Sequence, residues 1–135
     1  MPRIPHWERH LASALTAART SPFAWGTHDC ATWVFDLRQM LTDGKDVAAL
    51  WRGTYTTASG AARVMRRLGW SDLEAMGRDL LSEPLPSTRL AQRGDILLGG
   101  RPDAFGICAG ARGAFLTPSG LCFLPLSTCR LAWRL

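Results

Sequence analysis

Hydrophobic residues recur in two rhythms along this chain. Up to Arg93 they repeat at helical spacing, and beyond it they gather in short runs broken by Gly, Pro, Asp and Ser. Trp7, Leu11, Leu15 and Ala18 form one apolar stripe and predict a helix over 5–19. Asp29 has the chemistry of an N-cap and predicts a second helix from Cys30 to about Leu41, ended by Asp43-Gly44. The stretch from Val47 to Trp51 reads as a short helical turn. Thr57 or Ser59 caps a third helix through Ala61 to Leu68, with Gly69 as its stop. Ser71-Asp72-Leu73-Glu74 has the spacing of a capping box and starts a fourth helix to about Leu81. Pro84 and Pro86 read as a stiff linker. The runs 94–98, 104–109, 113–116, 121–124 and 130–134 then read as four or five strands in an antiparallel meander. Helices first and strands afterwards predict an α+β fold. N-terminal helices pack on a C-terminal antiparallel sheet, in one domain over 1–135.

Composition narrows the classes of function. With 47% hydrophobic and 20% charged residues, the chain can bury a core without disulfides or metals, and disorder throughout is excluded. No run approaches the length of a membrane span. Glu8, Arg9 and His10 interrupt any apolar signal core, so synthesis in the cytoplasm is expected. The net charge of +5 comes from 15 Arg and one Lys set against 11 acids. These arginines are scattered, apart from Arg63, Arg66 and Arg67 on one predicted helix. That pattern reads as a solvated face, and no nucleic-acid partner is expected. Cys30, Cys108, Cys122 and Cys129 form no C-x-x-C pair, and buried free thiols are the simplest reading. No cofactor is expected on that reading. The alternative is a metal or iron–sulfur cluster held by Cys108, Cys122 and Cys129, since strands can bring distant thiolates together.

One position carries potential chemistry. Cys30 opens a predicted helix directly after an aromatic-glycine loop. There the helix dipole and unpaired N–H groups favour a thiolate, the nucleophile of acyl transfer, and the same N–H groups can hold an oxyanion. The segment Phe23-Ala24-Trp25-Gly26-Thr27-His28-Asp29-Cys30-Ala31-Thr32-Trp33-Val34 resembles the nucleophile segment of NlpC-type cell-wall peptidases. These are papain-like enzymes with a Trp-Gly loop before an Asp-Cys helix start. Arg93-Gly94-Asp95-Ile96-Leu97 is similar to their Gly-Asp strand opening. The run from Ala104 to Gly110 is similar to the strand on which that family places its histidine. A closer likeness is to small proteins of phage, prophage and gene-transfer-agent tail clusters. These share Trp-Gly-x-x-Asp-Cys, an Arg-Gly-x-Tyr piece (here Arg52-Gly53-Thr54-Tyr55), a Gly-Ile-Cys-x-Gly-like strand and a terminal Ala-Trp (here Ala132-Trp133).

The resemblance implies a papain-like fold with Cys30 at the nucleophile position, but no base carries over. The family histidine falls at about Ala104, and no histidine follows residue 28. The third polar position falls near Thr117, and the weak substitute base is His28, two residues before the thiol. The resulting expectation is a structural or assembly component of a virion tail, near its tip, built on a degenerate cysteine-peptidase scaffold. Its partners would be other tail hub or tip subunits, and peptidoglycan is a further candidate. An active peptidoglycan peptidase using Cys30 with a non-standard base is the alternative. Trp25, Gly26, Asp29, Arg52 and Trp133 are the candidate binding positions, and the Arg52-Gly53 loop with Trp133 is expected at inter-subunit contacts. Trp25, Trp33, Trp51, Trp70 and Trp133 are otherwise read as core or interface positions rather than as a sugar-binding groove.

Overall fold

The computed structural model describes residues 2–135. Four helices precede the sheet: α1 (Trp7–Ala18), α2 (Cys30–Thr42), α3 (Ala58–Arg67) and α4 (Leu73–Leu81). Five strands follow: β1 (Ile96–Gly99), β2 (Ala104–Cys108), β3 (Arg112–Thr117), β4 (Gly120–Pro125) and β5 (Cys129–Trp133). The fold is α+β with a single antiparallel sheet. Among the described residues no helix is long and apolar enough to cross a membrane.

Local chemistry explains most boundaries. The Asp29 carboxylate accepts from the Thr32 N–H, and Thr57 accepts from Gly60, so both are true N-caps. At α4 the expected cap shifts by one residue. Asp72, not Ser71, accepts from the Ala75 N–H at 2.7 Å. Glu74 does not reach back as in a capping box. It pairs with Arg78 and Arg130 instead, two cations that offer a carboxylate more than a single N–H does.

The sheet is not the plain meander that the strand spacing suggests. Its order is β4-β3-β2-β1-β5, so the last strand leaves β4 as an edge and closes on β1. A short 3-10 turn (Leu126–Thr128) carries the chain across, and Ile96 then faces Trp133 while Leu97 faces Ala132. This placement buries all four residues of β1, matching its unbroken apolar run. Nor is the Pro84–Pro86 segment a free linker. The Leu85 N–H donates to the Ala132 carbonyl at 2.7 Å, so the segment covers β5.

Alternation across the strands makes two cores. The inner face (Ile96, Leu98, Phe105, Ile107, Trp133) meets α2 through Val34, Phe35 and Leu41. Aromatic rings join edge to face through this layer, from Phe105 to Phe35 to Trp51 to Trp70, with centroids 5.6, 5.6 and 6.0 Å apart. The outer face holds Leu97, Cys108, Phe115, Cys129 and Ala132, roofed by Leu85, Ala91 and Leu126. Gly106 is required here, because a Cβ on it would lie 2.6 Å from the Phe115 ring.

One buried carboxylate joins the two ends of the described chain. Asp95, fully buried, accepts from Arg3 (3.0 Å), Arg134 (2.8 Å) and the backbone N–H groups of Gln92 (2.8 Å) and Leu135 (3.0 Å). Arg3 also donates to the Arg93 carbonyl and lies 4.1 Å over the Trp7 ring. Asp95→Ala strands two backbone donors at once. It is expected to lower unfolding free energy by about 2–4 kcal/mol in urea titrations. A change under about 0.5 kcal/mol would show that the knot carries no net stability.

Candidate functional site

The loop before α2 is set by one carboxylate. Asp29 is 1% exposed, and its oxygens take three donors: Thr32 N–H (2.9 Å), Gly26 N–H (2.8 Å) and the Tyr55 hydroxyl (2.7 Å). Gly26 sits at φ +89°, and a Cβ there would lie 2.2 Å from the Tyr55 carbonyl oxygen. Only glycine permits that approach. The Gly53 N–H donates back to the Gly26 carbonyl at 3.0 Å, and the Trp51 indole donates to the Thr32 hydroxyl at 3.1 Å. The Trp-Gly-x-x-Asp and Arg-Gly-x-Tyr pieces of the sequence are therefore the two halves of one interlock.

This interlock presents Cys30 at the junction of a groove. One arm, about 430 Å³, runs between α3 and the start of α4, with Tyr55, Met65, Arg66 and Trp70 on its walls. The other, about 500 Å³, runs over the β-sheet end past Arg101, Ala104, Thr117 and Cys122. Both arms share Trp25, Cys30, Ala58, Pro102 and Asp103. Cys30, Ala104 and Thr117, far apart in sequence, thus line one arm together. Thr117 is engaged in the β3–β4 turn, where its hydroxyl donates to the Gly120 carbonyl at 2.8 Å.

The electrostatics of the thiol run against activation. Burial pushes Cys30 from its ordinary value near 9 up to about 11. The Asp29 carboxylate adds in the same direction, while backbone N–H groups of Phe105, Ala31 and Cys30 itself pull downward without prevailing. Two units correspond to about 3 kcal/mol. A helix terminus contributes about 0.3–1 kcal/mol to a charged group, so it loses to desolvation here.

The remaining candidate residues lie in other surroundings. His28 faces the shallow depression between α1 and α2, beside Ala18, Trp33 and Leu37. That depression shares no lining residue with either arm of the Cys30 groove. Its Nε2 is buried there without a hydrogen-bond partner among the described residues. Asp103 does line the groove, but Arg130 grips both its oxygens at 3.2 and 2.7 Å. Arg52 pairs with Asp36 and with Asp46 at 2.7 Å, which spends its donors within the chain. The expected contact role of Trp133 needs correction. The ring is fully buried against Gly77, where a Cβ would fall 2.6 Å away, and its N–H is satisfied by the Ser82 carbonyl at 3.1 Å. A strand that closes on β1 turns Trp133 into the inner core, not outward. Trp33, Trp51 and Trp70 are likewise buried, whereas Trp25 is half-buried on the groove wall.

All four cysteines are free thiols, and Cys108, Cys122 and Cys129 belong to the outer-face apolar cluster. Burial raises each of these thiols as well. Cys108 donates to the Gly110 carbonyl at 3.2 Å. Among the described residues no group of three or more His, Cys, Asp or Glu is placed to hold a metal ion. The Tyr55–Asp29 bond is not readable from the sequence beyond the Arg-Gly-x-Tyr piece.

The raised thiol has a signed consequence. Between about pH 9 and pH 11 the unfolded chain releases the Cys30 proton while the folded chain keeps it, so stability falls as pH rises through this window. In urea unfolding across that range Cys30→Ala should lose about 2–3 kcal/mol less than the parent, since the other raised thiols and Tyr55 contribute alike to both proteins, and an equal alkaline loss in the two would contradict it. Asp29→Asn strands the Gly26 N–H, with an expected cost of about 1–3 kcal/mol. It also removes the negative charge beside the thiol, so the Cys30 titration read from thiolate absorbance should move down. An unmoved titration would show that Asp29 exerts no field there.

Comparison with curated proteins and with solved structures finds no match to this chain. The family model described as "Domain of unknown function (DUF6950)" matches residues 2–135, nearly the whole sequence, and the chain belongs to that family.

Proposed function

We propose that this chain is a non-hydrolytic structural or assembly component of a virion tail, built on a papain-like, NlpC-type scaffold that no longer works as a peptidase. The observation that carries the reading is the state of Cys30. A helix-opening cysteine lines a groove, yet its thiol is held up near 11 and no histidine lines the groove among the described residues. At neutral pH a thiol so raised is protonated and is a poor nucleophile.

Several features support the scaffold part of this reading. Cys30 opens a helix, Ala104 opens the strand where the resemblance expects a base, and Thr117 ends the next strand. All three line one arm of the groove. An alanine at the base position leaves the shape intact and removes the proton acceptor. The only acid shared by both arms with an exposed edge, Asp103, is already held by Arg130 and is a weak base toward a thiol. Losing one member of a nucleophile–base pair leaves only residual catalysis, on the order of 10³–10⁴ over water. The tail setting rests on the sequence likeness in the Trp-Gly-x-x-Asp-Cys, Arg-Gly-x-Tyr and Ala-Trp pieces. Under this setting the protein is made in the bacterial cytoplasm and ends in the virion tail, against hub or tip subunits.

The test is a hydrolysis assay combined with genetics. Purified protein incubated with muropeptides at high concentration should leave the stem peptides intact by mass spectrometry. A virion carrying Cys30→Ser should assemble and infect as the parent does. Cys30-dependent stem cleavage would overturn the reading in favour of an active cell-wall peptidase. A tail fraction that lacks the protein would overturn the structural role.

A further inference from the structure

We infer that the free edge of β4 pairs with β4 of a second copy of this chain, antiparallel and about a two-fold axis at Cys122. The inference does not depend on whether the chain hydrolyses anything. The sheet has two edges, and they are finished differently. The 84–86 segment covers the β5 edge through the Leu85 N–H bond to the Ala132 carbonyl. Among the described residues no strand pairs with the far side of β4. Open edges are normally blunted by charge, an internal proline or a bulge. The run Gly120-Leu121-Cys122-Phe123-Leu124 has none of these. It is uncharged, its ladder with β3 is unbroken, and Pro125 comes only at its end. All five residues are half-buried, so a cover would take apolar surface from water on both faces.

The hydrogen-bond phase of the edge selects the occupant. The Leu126 N–H bonds the Ala111 carbonyl, and bonded pairs alternate along an antiparallel ladder. Gly120, Cys122 and Leu124 therefore spend their backbone groups on β3, while those of Leu121 and Phe123 point outward. These two residues lie symmetrically about Cys122. A two-fold there sets Leu121 against Phe123 of the second copy and Phe123 against its Leu121, so each outward N–H meets an outward carbonyl. Neither neighbouring centre achieves this. A two-fold at Leu121 sets Phe123 against Ser119 in the turn, and one at Phe123 sets Leu121 against Pro125, which has no N–H. The side chains fit the same register. Leu121 meets the Phe123 ring on the helix side, and Leu124 meets Gly120 on the other face. Arg112 pairs with Pro125 at the end of the strand, and Arg19 lies over the Phe123 ring on the helix side, so neither occupies the edge.

The axis also sets the two Cys122 residues in a non-bonded pair, with Cα atoms about 4.5 Å apart, within the span of a disulfide. Cys122 is a free thiol. Sedimentation of the reduced chain over a range of concentration should show a monomer–dimer equilibrium. Amide hydrogen exchange read by NMR should slow at Leu121 and Phe123 as the dimer forms. Diamide, whose N=N bond takes up two electrons and two protons, should join two copies through Cys122, as peptide mapping reads. Cys122→Ser should still dimerise but lose this covalent link. Cys122→Lys sets two cations face to face and should weaken dimerisation at least about tenfold. Urea unfolding checks that each variant keeps its fold. A chain that stays monomeric at every concentration would overturn the inference. So would a dimer with unchanged exchange at Leu121 and Phe123, which puts the interface elsewhere, or a protected edge in which diamide links no Cys122 pair, which breaks the register. A folded Cys122→Lys variant that dimerises as the parent does would count equally against it.

Discussion

The geometry around α2 depends on a single buried carboxylate. Asp29 caps the helix, fixes Gly26 in a conformation that only glycine tolerates, and fastens the loop to Tyr55. The Tyr55 bond to Asp29, together with the Gly53 N–H bond to the Gly26 carbonyl, holds the 24–29 loop against the 51–55 turn and so places Trp25 on the groove wall. The same carboxylate sits beside Cys30. The interaction that builds the site therefore opposes ionisation of its thiol. The packing that buries the thiol opposes it more strongly still, and together they outweigh the helix terminus.

Under the proposed reading the groove keeps the shape of an acyl-transfer site without its proton acceptor. In an acyl-transfer site a base would stand on the strand facing the thiol, and here that wall presents Ala104. The two arms meet at an apolar junction of Trp25, Ala58 and Pro102 around the thiol. The Asp103–Arg130–Glu74 chain stiffens one rim of the groove, tying β2's approach to β5 and α4. Several exposed ion pairs in a row of this kind matter more for geometry than for stability.

Much of this was legible in the sequence, for identifiable reasons. Helical spacing of Trp7, Leu11, Leu15 and Ala18, and the caps at Asp29 and Thr57, are local signals, and the elements follow them closely. The strands also fall where the apolar runs lie. Pairing of β5 with β1 was not legible, because a strand's partner depends on the edge that it closes and not on its own residues. Trp133 was misjudged for the same reason: its burial follows from that pairing. At the site, Cys30 and its cap could be read from spacing, whereas the elevated thiol could not. Its cause is the burial of the thiol, to which the Asp29 charge adds, and that burial exists only in the folded chain.

The most direct measurement is the alkylation rate of each cysteine against pH, resolved site by site by mass spectrometry. A Cys30 rate that stays low at neutral pH and still climbs above pH 9 would match a thiol held near 11 by burial and Asp29. A Cys30 rate that reaches its plateau below pH 7, ahead of the other three thiols, would reveal a stabilised thiolate and contradict the non-hydrolytic reading.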